Sequence, residues 1–171
     1  APDLARFLIA QLNHGKFGGK QVFPSSVITQ SQIPQVKLDS RYLDFKRSGY
    51  AWGWYTGEYK GKSMLHHFGS FAGFHAHLSF IPEENIGLVV LNNEDVLSSR
   101  LTNLIADFAY GVLLDEPDAT SRMSVRFDEL LAQSKQLRLA TAKNRNEIQA
   151  RSWQMSQALE AYVGRYSNDL L

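Results

Sequence analysis

Apolar residues recur at three- and four-residue spacing near the start of the chain, where Leu4, Phe7, Leu8 and Leu12 share a face with Gln11. That spacing predicts an amphipathic helix over 3–13, with Asp3 placed to cap it and Gly15, Gly18 and Gly19 to stop it. A short helix is expected after Phe23-Pro24, capped by Ser25 or Ser26, covering Val27 to Gln30 and ended by Pro34. From Tyr50 the period changes. Residues 50–55, 63–67, 74–81 and 86–91 read as strands, and the turns at 59–62, 69–73 and 82–85 are too short for helical crossovers. An antiparallel meander follows, with 86–91, apolar on both faces, as a central covered strand. A further helix is expected from Ser98 or Ser99, with Leu101, Leu104, Ile105, Phe108, Val112 and Leu113 as its buried stripe. Asp115-Glu116-Pro117-Asp118 breaks it, and 121–160 reads as mostly helical. Around 141–146 the stripe is weak, which fits a break as well as one long helix. The fold class is α+β: an antiparallel sheet with packed helices, then a mostly helical C-terminal segment.

Composition narrows the function. The 171 residues carry 18 Lys+Arg against 17 Asp+Glu, and no cysteine. A charge of +1 lacks the concentrated positive field that phosphate-backbone binding needs, so nucleic acid is not an expected partner. The basic run Lys135, Arg138, Lys143, Arg145 and Arg151 has no interleaved aromatics and reads as a solvated face. Without cysteine there is no disulfide scaffold, thiol nucleophile, Cys-ligated zinc or iron–sulfur cluster. No run approaches the ~18 apolar residues of a membrane span. Ala1-Pro2-Asp3 reads as a mature or cut end.

Candidate chemistry concentrates in His66-His67-Phe68-Gly69-Ser70-Phe71-Ala72-Gly73-Phe74-His75-Ala76-His77, which holds four of the 5 histidines. His75 and His77 share a strand face, and His66 or His67 could complete a metal site, although no acidic or thiol partner lies nearby in sequence. Alternatively, the glycines turn a hairpin that the histidines decorate. Both readings stay open on the residues alone.

The string His67-Phe68-Gly69-Ser70-Phe71-Ala72-Gly73-Phe74, with Phe80-Ile81-Pro82-Glu83 and Ile86-Gly87-Leu88-Val89-Val90-Leu91-Asn92-Asn93, resembles the C-terminal portion of the serine beta-lactamase-related family. That family includes class C beta-lactamases, penicillin-binding proteins, D-aminopeptidases and esterases. Ala1 to Leu8 resembles its upstream helix, and Tyr50-Ala51-Trp52-Gly53-Trp54 its Tyr-x-x-Gly-Trp strand. The resemblance implies hydrolysis of an ester, amide or peptide through an acyl-serine, without cofactor or metal. It implies that His67 supports the proton relay, that Gly69 lets substrate lie on the strand, and that Ser70 offers its N–H to the oxyanion, with Phe68 and Phe71 beside the substrate. Phe68 stands where many members have Thr or Ser, so recognition of a substrate carboxylate by that hydroxyl is lost.

No serine here has lysine three residues on, so the nucleophile motif is absent and the chain is expected to be inactive alone. Tyr166-Ser167-Asn168 follows the third motif instead of preceding it, and with Leu159 to Arg165 it resembles the opening strand of a small β-barrel accessory domain. The expected organisation is a hydrolase portion over 1–114, a helical linker over 115–158 and an accessory strand over 159–171. The family implies a periplasmic or secreted location. The alternative is a non-catalytic interaction module, whose exposed sheet would be covered by the missing N-terminal portion or by self-association.

Overall fold

Six strands follow one another in sequence order as an antiparallel meander: β3 (Val36–Tyr42), β4 (Phe45–Tyr50), β5 (Tyr55–Tyr59), β6 (Lys62–Phe71), β7 (Phe74–Ile81) and β8 (Ile86–Asn92). A two-residue hairpin, β1 (Lys16–Phe17) with β2 (Lys20–Gln21), turns on Gly18 and Gly19. The computed structural model describes residues 1–94 and 96–168, in two compact units, Ala1–Lys135 and Gln136–Leu171. The last three residues of the expected accessory strand lie outside the described residues.

Strand periodicity of two sorts the side chains between two helices. On one face, α1 (Pro2–Leu12) places Leu8 with Ala51, Trp54, Leu65 and Phe80. On the other, α3 (Ser99–Leu113) places Ala106 and Tyr110 with Phe45, Tyr59, Met64 and Ile81. α2 (Ser25–Ser31) follows Pro24, whose carbonyl accepts from Val27 and Ile28. α4 spans Ala119–Gln149 without a break. Its first turns are tied by charge to α3 and to the turn between β3 and β4: Arg122 and Arg126 both reach Asp107, which also accepts from Tyr59 Oη at 2.6 Å, and Arg126 reaches Asp44 at 2.7 Å.

Several local expectations are corrected. Residues 50–55 are not one strand: β4 ends at Tyr50, and a turn closes through Ala51 N–H to the Trp54 carbonyl at 2.7 Å. Gly53, at φ +76°, supplies the left-handed step that L side chains avoid. The hairpin at 69–73 is tighter than expected, since β6 runs to Phe71 and Ala72-Gly73 alone turns. β8 is apolar on both faces, and among the described residues it is the last strand of the sheet. Its two apolar faces answer to α1 and α3, not to strands on both edges. β3 and most of β4 carried no alternation to read. Ser98 takes the expected N-cap position of α3 but makes no side-chain capping bond, while α1 and α2 are capped by Ala1 and Pro24 rather than by aspartate or serine, and Asp3 pairs with Arg6 at 2.7 Å.

Phe45 is fully buried at the meeting point of β4, β5 and α3. Phe45→Ala is therefore expected to lower unfolding free energy by about 3–5 kcal/mol in urea titration. Phe71→Ala, at a residue 80% exposed, should change it by less than about 0.5 kcal/mol.

Candidate functional site

The site begins with a mismatch of lengths. β5 has 5 residues and β6 has 10. Their pairing stops at Tyr55↔His66, while β6 continues against β7 as far as Phe71↔Phe74. Residues 67–71 of β6 thus have a strand on one side and an open edge on the other.

Hairpin geometry states which backbone groups that edge presents. In a two-residue hairpin the flanking pair exchanges ladder hydrogen bonds, and bonded pairs alternate from there. Counting from Phe71↔Phe74 turns the N–H groups of Phe71, Gly69 and His67 toward β7. Counting from the other hairpin, Tyr59↔Lys62, turns Lys62, Met64 and His66 toward β5, and by continuation Phe68 and Ser70 toward the open edge. The two counts agree. Ser63, which the second count turns away from β5, sends its N–H at 2.7 Å to Glu83 on the β7 side.

Side chains along this stretch alternate between faces. His67 lies on the α1 face, half-buried, with Tyr50 Oη 3.5 Å from its Nε2 and the Tyr55 ring stacked at 5.6 Å. Gly69 follows on the same face; a Cβ there would meet Ala76 Cβ at an ordinary 3.6 Å. Internal packing does not demand glycine at that position, so its effect is to leave the strand surface bare. Phe71 ends the row, exposed beside Phe74 at the hairpin tip.

Phe68 and Ser70 point to the α3 face. The Phe68 ring packs on Phe45, Tyr42 and His77, so it meets anything on the His67 face through its backbone alone. Ser70 Oγ lies 3.1 Å from His75 Nδ1, which also approaches Ser98 Oγ at 3.4 Å. Sequence reasoning placed Tyr50 and Tyr55 on one strand and did not connect either with His67. Arg47, whose guanidinium lies 3.5 Å from the Tyr55 ring centroid, was not singled out at all. The signal for the tyrosines was the dense aromatic run after Gly49; nothing in the sequence marked Arg47.

The histidine cluster divides between the faces. His66 and His77 are fully buried under α3 on either side of the Phe68 and Phe45 rings. Burial pushes both imidazoles down to about 3, helped at His66 by the nearby Arg47 charge and by His77. His77 Nε2 lies 2.6 Å from Ser79 Oγ, which lies 2.7 Å from Tyr110 Oη. With His67 turned to the opposite face, the four do not converge. Among the described residues no group of three or more His, Asp or Glu side chains could hold a metal ion.

A family model for beta-lactamase matches residues 1–111. The chain belongs to the beta-lactamase family. Among solved structures it is similar to an octameric penicillin-binding protein homologue from Pyrococcus abyssi, at 23% identity and a TM-score of 0.55. The match covers 67% of this chain and 24% of that one, so the chain spans about a quarter of the length of that relative. No curated protein matches the chain. The family resemblance and the α+β class read from the sequence are both borne out, and no helix among the described residues is long and apolar enough to cross a membrane.

Two neutral buried histidines make stability depend on pH. Each binds a proton near 6.5 when unfolded but near 3 when folded, so between those values the unfolded state holds more protons. Their contribution is fully present above about pH 6.5 and is lost as pH falls toward 3, by up to about 1.4 kcal/mol per pH unit for each. Urea midpoints measured across that window should fall with acidification, and His77→Gln should flatten the slope. An unchanged slope contradicts the assignment.

Proposed function

We propose that residues 1–114 supply one wall of an acyl-transfer site in a serine hydrolase that acts on an ester, amide or peptide bond. The single observation that carries this reading is the open edge at 67–71, where Ser70 N–H projects away from the ladder. Acyl transfer needs a donor aimed at the developing oxyanion, held in place before reaction. A backbone N–H on a strand fixed by β7 meets that requirement without reorganisation. The second donor would be the N–H of the nucleophile itself, carried by a Ser-x-x-Lys outside these residues.

His67 stands next to that edge on the bare face, stacked on Tyr55 and near Tyr50, where an imidazole can assist proton movement electrostatically. Gly69 leaves the floor flat for an extended substrate. Phe71 lines the outer end. Phe68 turns its ring into the core and offers its N–H to the same edge as Ser70. With no hydroxyl at position 68, this wall lacks the side chain that many relatives use for a substrate carboxylate, which favours ester or amide substrates without one. No cofactor enters the scheme. The 115–158 stretch would serve as a linker and the remainder as the start of an accessory domain.

The reading is tested in the longer polypeptide that carries the nucleophile. Ser70→Pro deletes an N–H that lies outside the ladder, so the sheet tolerates it, yet kcat should fall about 10²–10³-fold. His67→Ala should lower kcat/KM by about 10²-fold. Full activity in both variants would sink the assignment. The isolated 171-residue chain should show no ester turnover sensitive to serine reagents; measurable turnover would place a nucleophile within it.

A further inference from the structure

Ser70, whose N–H would serve the oxyanion, is the residue of β6 that the ladder holds least. Phe71↔Phe74 and Gly69↔Ala76 are bonded pairs, and Ser70↔His75 between them is a non-bonded one. The Ser70 N–H and carbonyl both turn to the open side, so β7 grips neither. Phe68 faces the same way and is fixed by its ring, which packs on Tyr42, Phe45 and His77. Ser70 is exposed and has no ring to pack. The side-chain contact that ties it to β7 is Oγ to His75 Nδ1, at 3.1 Å.

His75 is itself held. It is 6% exposed, and the register sets Ser70, His75 and Asn92 in one row across β6, β7 and β8. Asn92 Nδ2 donates to the Ser98 carbonyl at 3.2 Å, and Ser98 Oγ lies 3.4 Å from the same His75 Nδ1. The Leu101 N–H donates to that carbonyl as well, at 3.3 Å. Ser98 stands at φ 57° and ψ −136°, a setting that a residue other than glycine keeps only where its surroundings hold it there. The row therefore ends on a fixed post at the start of α3.

We propose that His75 is a positioning residue of the acyl-transfer wall: braced against Ser98, its imidazole holds Ser70 by the hydroxyl and so keeps the Ser70 N–H aimed out of the open edge. The inference rests on the acyl-transfer reading above and adds the residue that holds its donor. A donor fixed before reaction needs no reorganisation as charge develops, and a small misplacement is expensive in rate. His75 acts from behind the strand, through Ser70, on the face opposite His67.

The test uses the longer polypeptide that carries the nucleophile, with a p-nitrophenyl ester as substrate. His75→Leu should lower kcat about tenfold and leave KM within about twofold, because the loss falls on the transition state. His75→Asn should restore most of kcat, since its amide stands where Nδ1 stood; His75→Gln, which reaches to the Nε2 position, should not. Ser70→Ala removes the same contact at an exposed residue while keeping the N–H, and should lower kcat equally. The double variant should be no slower than either single one. If His75→Leu fails to fold, Ser70→Ala carries the test. Losses that multiply in the double variant overturn the proposal, as does an Asn variant no better than Gln. If Ser70→Pro lowers kcat while His75→Leu and Ser70→Ala keep it, this inference alone falls. If Ser70→Pro keeps full kcat as well, the acyl-transfer reading falls with it.

Discussion

Strand β6 outlasts strand β5, and the rest of the site depends on that stagger. Where β5 ends, at Tyr55, β6 loses a neighbour but keeps β7 on its other side. The segment from His67 to Phe71 is consequently ordered and unsaturated at once. Order comes from the β7 ladder and the Ala72-Gly73 turn, unsaturation from the missing strand. A loop could present the same N–H groups but would not hold them in line. A strand paired on both sides would hold them but consume them.

Period two then divides the work between faces. On β6, Leu65, His67, Gly69 and Phe71 fall to the α1 side, and Met64, His66, Phe68 and Ser70 to the α3 side. Four histidines close in sequence thereby take different physical roles. His66 and His77 are packed neutral among aromatic rings, His75 ties Ser70 to Ser98, and His67 alone stands on the bare face. What looks in sequence like one reactive cluster is two layers of a sheet.

Legibility followed the strength of the local pattern. α1, β7, β8 and α3 bury regular stripes against the core, and their spacing announced them. β3 was silent because none of its residues is buried, so no alternation marks it. The anchoring of α4 was equally hidden: Arg122 and Arg126 hold it through Asp107 and Asp44, and ion pairs between distant residues leave no period. The motif at 67–70 was found by family likeness, not by composition, since a histidine and a glycine on a strand are ordinary. The opposite facing of Phe68 and Ser70 followed once the strand was known to run to Phe71. The tyrosines around His67 could not be assigned to it before the turn at 51–54 was seen to fold them together.

Amide hydrogen exchange resolved residue by residue over β6 tests the central claim most directly. Ser70 and Phe68 N–H should exchange fast and Gly69 and His67 slowly, an alternation set by the open edge beside β5. Uniformly slow exchange from His67 to Phe71 would show that the edge is already occupied, and the proposed donor would not exist.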